Sequence, residues 1–183
     1  MPQIGTNHFG HFLLTNLLMP LVKRAAPGAR ILNVSSMAHE PGVMQWDDVN
    51  WKETSYSSIK AYSQSKLANV LFTTELARRG EGSGVTVYSL HPGVIATDLG
   101  RHARDTFGPL GACIMALSKP FIKTVESGAQ TTIYCAVEES ISEQSGRYYS
   151  DCREKALLPH AASAEDAKRL WEISETLTGL ERP

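Results

Sequence analysis

Leucines and valines at Leu13, Leu14, Leu17, Leu18, Leu21 and Val22 recur at helical spacing, which predicts a heavily buried first helix from about Thr6 to Ala25, stopped at Pro27-Gly28. The short β-favouring run from Arg30 to Ser35 suits a strand of a parallel sheet. A long polar stretch, roughly Met37 to Tyr56, reads as a loop, and loops of that length in compact domains usually serve function. Helical periodicity returns from about Ser57 to Arg79, where an exposed Glu75–Arg79 pair at i,i+4 supports the later turns, and Gly80 to Gly84 ends it. Val85 to Leu90 is a second buried strand. Further helices are predicted over Leu110 to Val125, broken at Pro120, and over Gly128 to Glu138, capped by Ser127. Gly146 to Ser150 suits a last strand. Ser163-Ala-Glu-Asp166 opens a final amphipathic helix carrying Leu170, Trp171, Ile173 and Leu177 and ending near Gly179. Strands alternating with helices predict the α/β class, a doubly wound parallel sheet of about three strands with flanking helices, in a single domain over residues 1–183.

Composition narrows the function. The chain has 183 residues and a net charge of −1, with no basic stripe, which argues against nucleic acid or an anionic membrane surface as its main partner. Cys113, Cys135 and Cys152 are odd in number and widely spaced, which reads as core or surface thiols of a reducing compartment. The six histidines lack ligand-spaced partners, so no metal site is expected. Trp46, Trp51 and Trp171 read as loop and helix anchors. The start of the chain has no secretory signal, and no transmembrane segment is visible. The apolar stretch from Leu110 to Ile122, interrupted by Lys119 and Pro120, suits an interfacial or substrate-covering element.

The candidate chemistry starts from Tyr62 and Lys66. On a helix these lie about 40° apart around the axis, with Asn69 about 20° to the other side of Tyr62. An ammonium beside a phenol favours its ionised form, which turns the pair into an acid/base device. The bland alternative is a surface tyrosine beside a solvated lysine. Ser35 and Ser36 end the first strand, the edge where open α/β sheets place ligands; equally, a serine there bonds its own backbone. The second strand ends in the same place with His91-Pro92-Gly93, a rigid turn followed by a permissive one, which lets backbone approach a planar ring. Thr97 and Asp98 lie just beyond, where they serve equally to cap a following helix.

These residues resemble the carboxyl-terminal part of the short-chain dehydrogenase/reductase family, in its retinol dehydrogenase branch. The resemblance rests on Asn7 in Asn-His-Phe-Gly-His-Phe, Ser36 in Asn-Val-Ser-Ser, Tyr62-x-x-x-Lys66 and Pro92-Gly-x-x-x-Thr97. Ser-Lys-Leu-Ala-Asn-Val-Leu-Phe, Gly-Ala-Gln-Thr and Ser-Gly-Arg-Tyr-Tyr add to it, and the match covers essentially the whole chain. It implies a Rossmann-like fold, here a partial one. It also implies hydride transfer between NADP(H), with NAD as the alternative, and a small lipophilic alcohol or aldehyde such as retinol or retinal. By the same resemblance Tyr62 is the acid/base, Lys66 tunes it and holds the nicotinamide ribose, Ser36 orients the substrate oxygen, and Asn7 supports a proton relay. Pro92, Gly93, Ile95 and Thr97 contact the nicotinamide end.

No G-x-x-x-G-x-G or G-x-G-x-x-G phosphate-binding turn occurs anywhere in the sequence. The expectation is therefore a chain holding the later half of a dinucleotide fold, with weak nicotinamide binding, a bare edge at the strand around Ile31 to Val34, and a sticky product. The competing reading is a catalytically inactive interaction or regulatory partner, either a homo-oligomer or paired with a full-length relative through the Tyr62 helix and the helix near Ser127. The chain itself carries no signal of location; the resemblance implies an intracellular protein, associated in its full-length form with an endoplasmic-reticulum or mitochondrial membrane. No G-x-S-x-G surrounds Ser35 or Ser36, which sets a hydrolase aside.

Overall fold

The computed structural model describes residues 3–95 and 122–180. A π-helical turn over Gly5–Phe9 leads into α1 (Gly10–Arg24), followed by β1 (Ala29–Val34), α2 (Ser58–Arg79) and β2 (Val85–His91). After the undescribed stretch come α3 (Val125–Val137), β3 (Tyr148–Ser150), β4 (Arg153–Glu154) and α4 (Ala164–Thr178). The sheet order is β1-β2-β3-β4; the first three strands run parallel and β4 folds back antiparallel. Ala29 to Val34 pair with Val85 to Leu90 in register, so the two strands deliver their carboxyl ends side by side. The Ser35 N–H extends this pairing by donating to the Leu90 carbonyl at 2.7 Å.

α2 is the central helix. Ser57 caps it, and it packs against both the sheet and α4. One face joins Leu67, Ala68, Val70 and Leu71 to Ile4, Phe9 and Leu170; another joins Phe72 and Leu76 to Phe12, Val87 and Trp171. Its buried Gln64 and Thr73 find partners, as burial requires. Gln64 accepts from the Trp51 indole and donates to the Val49 carbonyl, and the Thr73 hydroxyl accepts from Asn33 and donates to the Asn69 carbonyl. The loop before α2 folds around Asp48, whose carboxylate accepts the backbone N–H groups of Lys52, Glu53 and Thr54. The tryptophans anchor as expected: Trp46 lies under the Arg169 guanidinium, and Trp171 enters the core.

Several expectations need correction. α1 buries only Phe12, and Leu14, Leu17, Leu18 and Leu21 are 55%, 63%, 42% and 52% exposed. Its leucine spacing marks an apolar face, but among the described residues the sheet and α4 cover only the other side. The Glu75 carboxylate is buried rather than exposed, gripped by both Arg78 and Arg79, and the Arg79 guanidinium also lies over the Trp171 ring. α3 starts at Val125 and is capped by Thr124, whose hydroxyl accepts from the Ser127 N–H; the chain just before it is extended, so no helix runs to Val125. The rest of the helix expected over Leu110 to Val125 lies outside the described residues, as does Cys113. The last expected strand shortens to three residues, and β4 is additional. Its two-residue turn, Asp151-Cys152, is left-handed at both positions (φ 53° and 56°) without the Asn-Gly or Asp-Gly signature that makes such hairpins legible. Cys135 is buried and its thiol is pushed up to about 12 by burial, so it is inert at neutral pH; Cys152 is half-buried.

No helix among the described residues is long and apolar enough to cross a membrane, and no cluster of three or more metal-ligating side chains occurs among them.

Candidate active site

The carboxyl end of β1 is sewn to α2. The Val34 carbonyl, the last of the strand, accepts from both Lys66 Nζ at 3.2 Å and Asn69 Nδ2 at 3.1 Å. One residue on, the buried Ser35 hydroxyl donates to the Lys66 carbonyl at 2.7 Å. These bonds hold the ammonium at the strand tip, where it stands 5.6 Å from the centre of the Tyr62 ring. Phenol and ammonium therefore share the helix face that their spacing predicts. Burial holds the Lys66 ammonium below its ordinary pKa. The Tyr62 hydroxyl makes no hydrogen bond among the described residues.

The structure separates the two serines. Ser35 is a clasp with its proton spent on α2. Ser36, extended at φ −159° and ψ 159°, accepts from the Ala38 N–H at 3.2 Å and so caps the short 3-10 turn Met37–His39. That is the backbone role a strand-ending serine takes, and it leaves the hydroxyl proton free to be donated. The Ser36 carbonyl in turn accepts from His39 Nδ1 at 2.6 Å, and burial keeps His39 below its ordinary pKa.

Asn7 sits in the π-helical turn, a distortion that recurs at functional sites. Its Nδ2 donates to the Ser65 hydroxyl at 3.0 Å, and Ser65 donates to the Tyr62 carbonyl at 2.8 Å. Asn7 is thus joined to the Tyr62 turn of α2 through Ser65, a link that the sequence signals only as a polar residue three positions after the tyrosine.

On the neighbouring strand, Pro92, Gly93 and Ile95 follow the end of β2, with Gly93 at φ 95°. A side chain at Gly93 would lie 2.7 Å from the Lys123 stem, so glycine is required twice over. Ile95 pairs with Lys123 in an isolated parallel bridge. Thr97 lies outside the described residues. A cleft of about 840 Å³ opens at the opposite end of the sheet, where Pro27, Gly28, Val85 and Gly146 line it. Its arginines are already engaged, Arg30 with the Cys135 and Glu138 carbonyls, Arg78 with Glu75 and Arg147 with Glu154, so it does not compete as the site.

Comparison with known proteins gives the family of the chain. Human retinol dehydrogenase 13 is 47% identical over 189 residues, an alignment covering 99% of this chain and 55% of that protein. Human retinol dehydrogenase 14 is 50% identical over 180 residues, covering 97% of this chain and 52% of that protein. The chain thus spans about half the length of the curated relatives it matches. Among solved structures, an uncharacterised protein from Mycobacterium paratuberculosis superposes with a TM-score of 0.71 at 36% identity, over 99% of this chain and 60% of that one. NADPH-bound carbonyl reductase from chicken fatty liver shares the fold, with a TM-score of 0.56 at 24% identity over 84% of this chain and 55% of that one. Residues 2–107 match the short chain dehydrogenase family, and the chain belongs to it.

Proposed function

We propose that the protein is an oxidoreductase interconverting an alcohol and a carbonyl, with NADP(H) as cofactor and a lipophilic substrate such as retinol or retinal. The observation that carries this reading is the Lys66 ammonium, pinned to the Val34 carbonyl and facing the Tyr62 ring. The names of the retinol dehydrogenase relatives support the substrate class, and the NADPH-bound carbonyl reductase supports the cofactor.

The residues present fit a nicotinamide nucleoside. Lys66 spends one hydrogen bond on Val34 and has three to give, leaving donors for sugar hydroxyls. Pro92 has no N–H and Gly93 no side chain, so the turn after β2 offers a flat backbone surface to a ring. When bound, the cofactor gives or takes the hydride. Tyr62 holds the proton exchanged at the substrate oxygen, and the Lys66 charge stabilises negative charge developing on the phenol oxygen. Ser36 donates its free proton to the same substrate oxygen and fixes its direction. Asn7, through Ser65, holds the Tyr62 turn of α2 in place.

The test is retinal reduction with NADPH, measured for the 183-residue chain and for the chain extended by any residues encoded in frame ahead of it. Tyr62→Phe is expected to cut turnover by about a hundredfold or more. Turnover unaffected by that substitution, or no turnover by either form, overturns the reading. The exposed leucines of α1 favour a second reading, a chain that pairs with a full-length relative; co-purification of an inactive chain with such a relative would select it.

A further inference from the structure

The turn after β2 is held from two directions. On one side, Lys123 crosses it: its backbone N–H donates to the Val94 carbonyl at 2.8 Å, and it bridges Ile95 in parallel register. Its side-chain stem runs through the space left by the missing Gly93 side chain, and its ammonium pairs with the Asp151 carboxylate. On the other side, α3 approaches so closely that a side chain at Gly128 would lie 2.2 Å from Ile95 Cδ1.

The two sides close on each other. Asp151 and Cys152 form the left-handed hairpin turn between β3 and β4, and the Cys152 N–H donates to the Thr131 hydroxyl of α3 at 3.4 Å. The path from the turn through Lys123, Asp151-Cys152, Thr131 and Gly128 returns to Ile95, so moving any member strains the rest. The hydrogen bond from Lys123 holds the Asp151 carboxyl below its ordinary range. Both left-handed residues lack the glycine that would relieve their backbone, and strain of this kind persists where surrounding structure over-determines it.

We propose that Lys123, Asp151 and Gly128 form a latch that fixes the Pro92–Ile95 turn, so that Lys123 and Asp151 are positioning residues for the nicotinamide end of the cofactor. The latch rests on the chain's own contacts; its bearing on cofactor rests on the function proposed above.

Amide hydrogen exchange on the intact chain tests it, because the Lys123 amide is itself the donor to Val94. The ion pair is partly exposed, 30% at Lys123 and 55% at Asp151, so its removal has a modest effect. Asp151→Asn, which tolerates the left-handed turn, and Lys123→Met, which keeps the stem, are each expected to speed Lys123-position exchange about fivefold. Exchange at Ser35 and Ser89 should stay unchanged, and Lys123→Arg should restore protection. The same two variants are expected to weaken NADPH binding severalfold, read by fluorescence titration up to millimolar concentration. Unchanged exchange in Asp151→Asn overturns the latch itself. Faster exchange with undiminished NADPH affinity overturns its positioning role. Where the 183-residue chain binds no NADPH, the same titration is read on the chain extended by any residues encoded in frame ahead of it. Absence of binding by both forms overturns the oxidoreductase reading and with it the positioning role, and leaves the exchange result to decide the latch.

Discussion

At the scale of single residues, what matters is where each proton and lone pair is spent. Lys66 spends one hydrogen bond on the Val34 carbonyl, and that bond brings the ammonium to the strand tip beside Tyr62. His8 shows the same accounting away from the site. Ser174 has one proton, and it goes to the Leu170 carbonyl at 2.7 Å. His8 Nε2, 2.8 Å from the Ser174 oxygen, must therefore be the donor, so His8 is neutral with its Nδ1 unprotonated and without a partner among the described residues. Burial among Phe9, Phe12 and Phe72 lowers its pKa from 6.5 to about 3. Below pH 6.5 the unfolded chain takes up a proton that the folded chain refuses, so the stability present above that pH is lost as pH falls towards 3. The expected loss between pH 8 and pH 5 is about 2 kcal/mol from this group. Burial also lowers His39 and His91, which act in the same direction. Urea denaturation at the two pH values isolates His8 by difference: His8→Gln should show a shallower loss than the unsubstituted chain, and an equal loss in both refutes the assignment.

At the scale of elements, local signals were legible where the partner is local. The caps at Ser57 and Ser163 and the left-handed Gly179 that ends α4 (φ 67°) all follow from neighbours in sequence. The start of α3 was misread because Thr124 and Ser127 are both competent caps, and the bridge from Lys123 to Ile95 chooses between them by fixing where the extended chain ends. Gly128 illustrates two effects of opposite sign. Replacing it with alanine gains about 1 kcal/mol in helix propensity, but crowding Ile95 costs typically 1–3 kcal/mol. A contact of 2.2 Å lies at the costly end, because Ile95 Cγ1 is also only 2.5 Å away and the side chain cannot swing clear with its tip alone. Gly128→Ala is therefore expected to destabilise the protein by roughly 1–2 kcal/mol in chemical denaturation. A stabilised variant would show that α3 does not press on Ile95.

At the scale of the whole molecule, α1 and the open edge of β1 leave apolar surface uncovered among the described residues. The four exposed leucines of α1 lie on the helix that leads into β1, whose second edge has no partner among the described residues, and Val34 at its end is 45% exposed. Of the two helices expected as pairing surfaces, α2 buries most of its residues against the rest of the chain, whereas α3 leaves Val125, Ile133 and Val137 exposed. An open edge beside an apolar helix face favours association. Sedimentation velocity is expected to show concentration-dependent association at micromolar levels, dispersed by combining Leu17→Glu with Leu21→Glu. A monomer at all concentrations would contradict this.

The α/β alternation, the shared face of Tyr62 and Lys66 and most helix boundaries were readable from the chain alone, because they depend on periodicity and on neighbours a few residues away. Tertiary structure decided that Ser35 is a clasp while Ser36 keeps a proton to give, that Asn7 reaches the Tyr62 turn through Ser65, and that Lys123 crosses Gly93 to meet Asp151. It also decided that the α1 leucines face outward while Glu75 lies buried. Each of these depends on a partner brought close by folding, and neither hydrophobic spacing nor residue type encodes which carbonyl, hydroxyl or stem that partner is.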